Sequence, residues 1–227
     1  MEERIIETTE GLQDEHIVRE YDKMQRDVRD SGWLDKKIKL MIEKGLCSGT
    51  ALEIGPGPGY FGLEWLKATE NTSLCGLDIS KAMADLAREN SREYGFGSRT
   101  DYRVGDAGKM EFADNAFDLA ISSYSLHEWE FPLQVLQEIG RVLKENGSLF
   151  ILDWRRDMKP HELSFIMHSQ KDKYMREGFL NSVNASYTRA EIKEMFEQVP
   201  NVELTEVEEK FFGIYMIASK RIVPEEV

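Results

Sequence analysis

The chain has 227 residues, and its 41% hydrophobic and 31% charged content excludes a disordered chain and favours a globular domain. The formal net charge of -13 argues against a nucleic-acid partner, because proteins that bind phosphate backbones present a basic face. Two cysteines, Cys47 and Cys75, are too few for a disulfide framework or a structural zinc site. The polar start of the chain and the lack of any apolar run of roughly 18 residues predict a cytoplasmic protein with no membrane partner.

Residues 1–45 predict a helical cap. Scattered apolar positions from His16 to Asp30 are typical of an amphipathic helix, and a second helix from Trp33 to Lys44 is expected to end at Gly45.

Residues 46–155 alternate between predicted strands and helices. Strands are predicted at 49–54, 73–78, 100–104, 117–122 and 148–153, with helices from Tyr60, from 81 to 94 behind Ser80, and from 131 to 144. This alternation predicts an α/β fold, doubly wound, with a mostly parallel sheet and helices on both faces. The nearly continuous apolar strands fit a sheet that is buried on both sides.

The last part, about 156–220, departs from the alternation. A polar helical segment at 160–178 is either a lid or a plain surface helix, and Thr188 with Glu191 forms a capping-box signature for a helix reaching about Gln198. Residues 201–220 then predict two strands around Gly213, a C-terminal antiparallel hairpin. We expect the run Arg155, Arg156 and Lys159 to be solvated, and the whole chain, 1–227, to form a single domain.

The strongest local signal is the loop Glu53-Ile-Gly-Pro-Gly-Pro-Gly59, where a strand passes into a helix. Glycines there let the backbone turn sharply and approach a ligand, while the following helix offers free N–H groups. Gly57 to Gly62 also satisfies the dinucleotide pattern G-x-G-x-x-G, so NAD binding stays open at this point. A phosphate-binding loop of the G-x-x-x-x-G-K-[ST] type is excluded, because no Gly-Lys-Ser/Thr follows the glycines.

Two carboxylates help to distinguish the two remaining candidate ligands, NAD and S-adenosylmethionine. Glu53 would repel a pyrophosphate but would stabilise the cationic ammonium or sulfonium of S-adenosylmethionine. Asp78, at the end of the next strand, is placed to accept hydrogen bonds from ribose hydroxyls, whether the ligand is NAD or S-adenosylmethionine. The chain also lacks the second nucleotide-binding half or substrate domain that dehydrogenases use, so the balance favours S-adenosylmethionine over NAD.

From about residue 12 to residue 220, the chain resembles the class I S-adenosylmethionine-dependent methyltransferases of the seven-stranded, small-molecule type. The motifs that carry the resemblance are the loop at 53–59, Asp78, the run Gly105-Asp106-Ala107, the fourth-strand run 117–129, and Arg141 to Lys144 with Gly147. The resemblance implies a seven-stranded sheet with its last strand reversed, and a cofactor lying across the carboxyl ends of the strands.

Carried over by position, the cofactor-binding residues are Tyr21, Glu53, Gly55, Pro56, Gly57, Gly59, Asp78, Ile79, Met83, Asp106, Ala107 and Ser122. The resemblance places the methionine part at the glycine loop, the ribose at Asp78 and the base between Ile79 and Met83. It also implies that Asp106 accepts from the adenine amino group and that the backbone around Ser122 completes the floor. Tyr21 would close over the cofactor from the first helix.

Methyl transfer requires alignment, exclusion of water and, for a protonated acceptor, a base. His127 follows the fourth strand and is the predicted base or pocket histidine, and Asp153 ends the fifth strand and is predicted to bind or deprotonate the acceptor. No metal constellation is visible. The predicted function is methyl transfer to a small molecule through an O, N, C or S centre. The alternatives are a regulatory or scaffold protein that binds S-adenosylmethionine without turnover, and an NAD-dependent oxidoreductase.

Overall fold

The computed structural model describes residues 4–5, 14–169, 173–211 and 213–221. The helices are α1 (Glu15–Asp30), α2 (Trp33–Glu43), α3 (Tyr60–Lys67), α4 (Lys81–Glu93), α5 (Pro132–Val142), α6 (Pro160–Ser169), α7 (Lys173–Ala185) and α8 (Arg189–Glu197). The strands are β1 (Thr50–Ile54), β2 (Ser73–Asp78), β3 (Thr100–Val104), β4 (Phe117–Ser123), β5 (Leu143–Asp153), β6 (Val202–Lys210) and β7 (Gly213–Lys220). A short 3-10 helix, Leu126–Glu128, follows β4.

The described strands form one seven-stranded sheet in the order β3-β2-β1-β4-β5-β7-β6. Strands β1 to β5 pair in parallel, whereas β7 pairs antiparallel with both β5 and β6. The predicted mostly parallel sheet with a reversed last strand is therefore confirmed. The strand order changes direction between β1 and β4, and in such sheets the crevice at this switch point is where ligands bind.

Both faces of the sheet are covered, as the apolar strands indicate. Leu52 and Ala120 belong to the core shared with α5 and α8, while their neighbours Ala51 and Ile121 belong to the core shared with α2 and α3. Alternate residues of one strand thus face opposite layers. Cys75 is buried in the first of these cores, as predicted.

Local capping signals fix several helix ends. The Ser80 hydroxyl accepts from the Met83 N–H (3.1 Å) at the start of α4, and Gly95 follows its end with a φ of 75°. Thr188 and Glu191 form the predicted capping box.

Two predicted boundaries were wrong. Strand β5 begins at Leu143 rather than 148, because the pairing of β4 and β5 jumps from Phe117–Leu143 to Leu119–Ser148 across a bulge. The bulge holds Asn146 at a φ of 62°, where the sequence indicated a turn. The segment 160–178 contains α6 and the first part of α7 rather than a single helix. Residues 170–172, inside that segment, and Phe212, in the predicted hairpin turn, lie outside the described residues.

The prediction that the run after β5 is solvated was wrong for its two arginines. Arg155 is 5% exposed, and its guanidinium donates to Glu162 (2.9 Å) on α6 and to Glu209 (2.7 Å) on β6. Arg156 donates to the Ser186 carbonyl (2.6 Å) and to Glu191. Carboxylates from α6, β6 and α8 offset the cost of burying these two positive charges. Of the three residues in the run, only Lys159 is exposed. Within the described ranges, no helix has the length and apolar character needed to cross a membrane.

Candidate cofactor and acceptor site

A cavity of about 1370 Å³ opens at the carboxyl ends of the central strands. It exceeds the roughly 300–1,000 Å³ that holds one drug-sized ligand, so it has room for two molecules side by side. Its lining comes from the glycine loop, from the residues after β2, β4 and β5, and from helices α1, α6 and α7.

The glycine loop requires its glycines for different reasons. Gly55, Gly57 and Gly59 all have left-handed φ values, of 62°, 53° and 85°. A Cβ on Gly55 would lie 2.1 Å from the Ser125 hydroxyl, so the turn depends on close backbone approach. Gly57 faces the cavity, and its nearest side chain is Tyr21 at 3.8 Å from the position of a Cβ.

Glu53 lies beneath this loop and is 1% exposed. Its Oε1 accepts from the Gly62 N–H (3.1 Å), whereas Oε2 is buried with no hydrogen-bond partner among the described residues. Burial raises the pKa of Glu53 well above its usual range; the Gly62 N–H opposes this and the charge of Asp78 adds to it. Glu53 also lines the cavity, and a buried carboxylate with an unpaired oxygen is stabilised in its ionised form by a cationic group bound beside it.

Asp78 is held at the end of β2 by two backbone donors. Its Oδ2 accepts from Gly57 N–H (3.0 Å) and its Oδ1 from Ser80 N–H (2.8 Å). Burial raises the pKa of Asp78, and these two hydrogen bonds oppose the rise. Each carboxylate oxygen keeps a second lone pair that a hydroxyl of a ligand can use.

The other predicted cofactor residues divide into two groups. The larger group lines the same cavity: Tyr21, Pro56, Ile79, Met83, Asp106 and Ala107. Gly59 and Ser122 do not line it as the described residues form it. A Cβ on Gly59 would lie 2.9 Å from the Tyr102 hydroxyl. The Ser122 hydroxyl donates to the Ile54 carbonyl (3.1 Å), and this hydrogen bond connects β4 to β1.

His127 and Asp153 are brought together as a buried pair, each 2% exposed. The Asp153 Oδ2 accepts from the His127 backbone N–H (2.8 Å), and its Oδ1 lies 2.7 Å from the His127 Nδ1. The Trp154 N–H also donates to Oδ1 (2.7 Å). A proton on Nδ1, which the carboxylate favours, leaves Nε2 as the basic nitrogen.

This geometry corrects the predicted role of Asp153. Its carboxylate contacts His127, and within the described chain it does not line the cavity, whereas His127 does. Asp153 is therefore placed to orient His127 rather than to contact an acceptor.

Aromatic rings wall the cavity beside His127. Tyr124 and Trp154 have centroids 4.3 Å apart, and Trp154 meets Phe179 edge-on at 5.0 Å. Tyr124 has a φ of 55°, a left-handed conformation that is costly for a bulky residue and that concentrates at functional sites.

Sequence reasoning missed Asp22, which ties α1 to the glycine loop. Asp22 is 6% exposed and accepts from Tyr60 (2.8 Å), Arg26 (3.0 Å) and Asn90 (3.2 Å). Asn90 in turn donates to the Pro58 carbonyl (2.9 Å). The Asp22–Arg26 spacing of four residues, next to the flagged Tyr21, was the available signal.

Sequence reasoning also missed Arg4. Its guanidinium donates to the carbonyls of His127 (2.8 Å) and Ala185, and it lies over the Tyr187 ring at 4.4 Å.

The charged residues that line the cavity are acidic. Its ionisable acids are Glu20, Glu53, Asp78, Asp106, Glu128, Glu130 and Glu177. Among the described lining residues there is no lysine or arginine, so the cavity disfavours anions. The described chain also holds no cluster of three or more His, Cys, Asp or Glu side chains suited to a metal ion.

Comparison with known proteins matches residues 52–151 to the model of a methyltransferase domain. A demethylmenaquinone methyltransferase of Bacillus licheniformis is 31% identical over 144 residues, which make up 61% of this chain and 60% of that protein. The chain spans between 60% and 64% of the length of this and similar curated relatives.

Solved structures agree on the fold. A SAM-dependent methyltransferase from Aquifex aeolicus superposes with a TM-score of 0.71 at 21% identity, covering 92% of this chain and 100% of that one. A cyclase, SpnF, superposes with a TM-score of 0.66 at 19% identity, covering 83% and 81%. At these identities the likeness concerns the fold alone, and the two neighbours carry different reaction names.

Proposed function

We propose that the chain is a class I S-adenosylmethionine-dependent methyltransferase that transfers a methyl group from S-adenosylmethionine to a small-molecule acceptor. The observation that carries the proposal is Glu53, a buried carboxylate that lines the cavity beside the glycine loop, one strand from Asp78, and whose Oε2 has no hydrogen-bond partner among the described residues. The name of the Bacillus licheniformis relative also supports a small-molecule acceptor.

The residues present fit this cofactor. Glu53 would stabilise its ammonium group, and Gly57 would let the methionine part approach the backbone. Asp78 would accept from the ribose hydroxyls, while Ile79 and Met83 would flank the base and Asp106 would accept from its amino group. Tyr21, held over Gly57 by α1, would cover the cofactor.

The bound cofactor supplies a methyl group already activated on a sulfonium, so the protein chiefly aligns the acceptor and excludes water. The cavity walls from β4 and β5 would orient the acceptor, and His127 would hold or remove its proton while Asp153 keeps the imidazole in place.

Calorimetric titration with S-adenosylmethionine, S-adenosylhomocysteine and NAD tests this function. We expect micromolar binding of the first two compounds, lost in Asp78→Ala and kept in Asp101→Ala, which removes an exposed carboxylate on β3. Binding of NAD alone would contradict the assignment.

A further inference from the structure

We propose that Asp22 is a positioning residue for cofactor binding, whose carboxylate fixes the glycine loop against α1 and so sets where the methionine part of the cofactor lies. Asp22 is not among the described residues that line the cavity, so it acts through its neighbours rather than by contact. This inference rests on the proposed function and adds a residue that shapes the cofactor site from behind.

The Asp22 carboxylate accepts hydrogen bonds from three helices. It is 6% exposed, and its Oδ1 accepts from the Tyr60 hydroxyl (2.8 Å) on α3 and from the Asn90 amide (3.2 Å) on α4. Its Oδ2 accepts from the Arg26 Nε (3.0 Å), one turn further along α1. Burial of a carboxylate is costly unless donors of this kind surround it. The side chain is therefore held at the junction of α1, α3 and α4.

Two of these donors connect Asp22 to the glycine loop. Tyr60 is the first residue of α3 and directly follows the loop. The Asn90 amide nitrogen, which is fully buried, donates its second proton to the Pro58 carbonyl (2.9 Å). Arg26 donates to the Asn90 Oδ1 (2.8 Å), so both ends of this amide are engaged and its orientation is fixed. Asp22 thus reaches the loop at Pro58 and at Tyr60.

The Tyr60 hydroxyl is a dependable donor to Asp22. Burial first, and then the hydrogen bond to Asp22, raise the pKa of Tyr60, so the hydroxyl stays protonated. The Tyr60 ring also lines the cavity, which places this hydrogen bond directly behind the cavity wall.

Gly57 lies one residue before Pro58 and faces the cavity. Its N–H donates to the Asp78 Oδ2 (3.0 Å), and a Cβ on it would lie 3.8 Å from the Tyr21 ring. Tyr21 precedes Asp22 in α1, so the carboxylate that fixes the loop also fixes the ring beside it. A shift of about 1 Å between loop and ring would misalign the groups around a bound ligand.

The apolar contacts of α1 are few. Of the described residues of this helix, only Val18 is both apolar and buried, and it packs against Met83 and Leu86 of α4. A helix with so little buried apolar surface depends more strongly on its buried polar contacts. Loss of the Asp22 carboxylate should therefore loosen α1 and the glycine loop together.

Two ligands that differ in the methionine part test this role. S-adenosylhomocysteine contains the amino-acid chain, whereas methylthioadenosine carries a methyl group on sulfur in its place. In calorimetric titrations, Asp22→Ala should weaken binding of S-adenosylhomocysteine by about tenfold and that of methylthioadenosine by less than about threefold. The second ligand is affected less because Ser80 N–H still holds Asp78 for the ribose. A merely structural loss would weaken both ligands alike.

Conservative and control variants separate the position of the carboxylate from its charge. Asp22→Asn keeps an acceptor oxygen for Tyr60 and Asn90, so it should recover part of the affinity for S-adenosylhomocysteine that Asp22→Ala loses. Asp27→Ala removes an exposed carboxylate from the same helix, outside the cavity lining, and should change neither affinity.

Tyr60→Phe tests the same link without touching the buried charge. It removes one donor to Asp22 and keeps the ring in the cavity wall, so binding of S-adenosylhomocysteine should weaken by about threefold. Combined with Asp22→Ala it should weaken binding no further, because both changes break the same hydrogen bond. This variant also decides the question if Asp22→Ala does not fold, which urea unfolding of each variant checks.

The two levels of proposal fail separately. If the wild-type protein does not bind S-adenosylhomocysteine, the proposed function is wrong. If the wild-type protein binds it, two results would overturn the role of Asp22: wild-type affinity in Asp22→Ala and Tyr60→Phe, or equal losses for the two ligands.

Discussion

At the scale of single residues, we expect Glu53 to link binding of S-adenosylmethionine to protonation. Burial first, and then the charge of Asp78 on β2, raise the pKa of this carboxyl, while the Gly62 N–H opposes them. Tyr102 on β3 stays neutral beside it, since burial holds the pKa of its hydroxyl well above the usual range. A bound ammonium or sulfonium favours the ionised form of Glu53. Binding should therefore release a proton, and affinity should rise with pH until the pH exceeds the pKa of Glu53 in the free protein.

Calorimetry in two buffers of different ionisation enthalpy measures that proton release. We expect Glu53→Gln to abolish the release and to weaken S-adenosylmethionine binding by at least about tenfold, because the amide cannot ionise. Glu111→Gln, which removes an exposed carboxyl outside the cavity lining, should change neither quantity. Undiminished proton release in Glu53→Gln would assign the linkage to another group.

Gly55 tests the close approach on which the glycine loop depends. Gly55→Ala should lower the free energy of unfolding by more than the roughly 1–2 kcal/mol of a left-handed alanine, because its Cβ would meet the Ser125 hydroxyl. Gly45 is the matched control: its φ is 80°, and a Cβ there would meet nothing within 4 Å. Urea unfolding measures the loss of unfolding free energy in each alanine variant, and the difference between the two losses gives the cost of the clash. Equal losses would show that Ser125 moves aside at little cost.

At the scale of elements, Arg155 anchors α6, which lines the cavity through Phe165 and Ile166. It joins Glu162 on α6 to Glu209 on β6 from a side chain that is 6% exposed. Arg155→Met should lower the free energy of unfolding by about 3–5 kcal/mol, because it leaves the buried Glu162 carboxylate without its cationic partner. Hydrogen exchange should speed up in α6.

The exposed pair Arg19–Glu89, with side chains 64% and 51% exposed, provides the contrast. Arg19→Met should cost less than about 1 kcal/mol. A comparable loss in both variants would mean that the Arg155 network contributes no more than a surface pair.

The same elements show what a sequence can predict. Helix α4 and the capping box of α8 follow from neighbouring residues, so local signals located them. The bulge at the start of β5 depends on its pairing with β4, which is set by distant residues. The burial of Arg155 likewise depends on carboxylates contributed by α6 and β6, which no local pattern reveals.

In the candidate site, too, local sequence signals predicted some residues, whereas other contacts depend on the tertiary structure. Glu53 and Asp78 were predicted because each lies at or next to the end of a strand beside a recognisable loop, and both line the cavity. Asp153 was predicted from its place at the end of β5, but its contact with His127 depends on the pairing of β4 with β5, which no local pattern reveals. Asp22 resembled an ordinary charged position on an exposed helix until α1 was placed on the glycine loop.

At the scale of the whole molecule, the fold positions the cavity without deciding the reaction. The order β2-β1-β4-β5 brings the predicted cofactor residues and the cavity walls from β4 and β5 to one edge of the sheet. The cyclase with a TM-score of 0.66 has the same fold, so the chemistry depends on the side chains at that edge. In this chain those side chains are a paired histidine, aromatic rings and carboxylates.

The charge of the whole molecule should also act on the approach of the cofactor. The net charge of -13 and the acidic lining of the cavity create a negative potential at its mouth. S-adenosylmethionine carries one net positive charge, whereas S-adenosylhomocysteine, which lacks the sulfonium, carries none. The potential should therefore accelerate the association of the first compound and leave that of the second almost unchanged.

Stopped-flow binding at increasing sodium chloride measures this difference. Between about 0.01 M and 0.5 M salt, the association rate constant of S-adenosylmethionine should fall about 3- to 10-fold, because the screening length contracts from about 30 Å to a few ångströms. That of S-adenosylhomocysteine should change by less than about twofold. Glu20→Gln with Glu130→Gln, both exposed at the cavity, should flatten the salt dependence, and Glu203→Gln on β6 should alter it less. An equal salt effect on the two compounds would mean that the sulfonium charge is not felt before contact, and that the acidic surface acts only after the cofactor has entered.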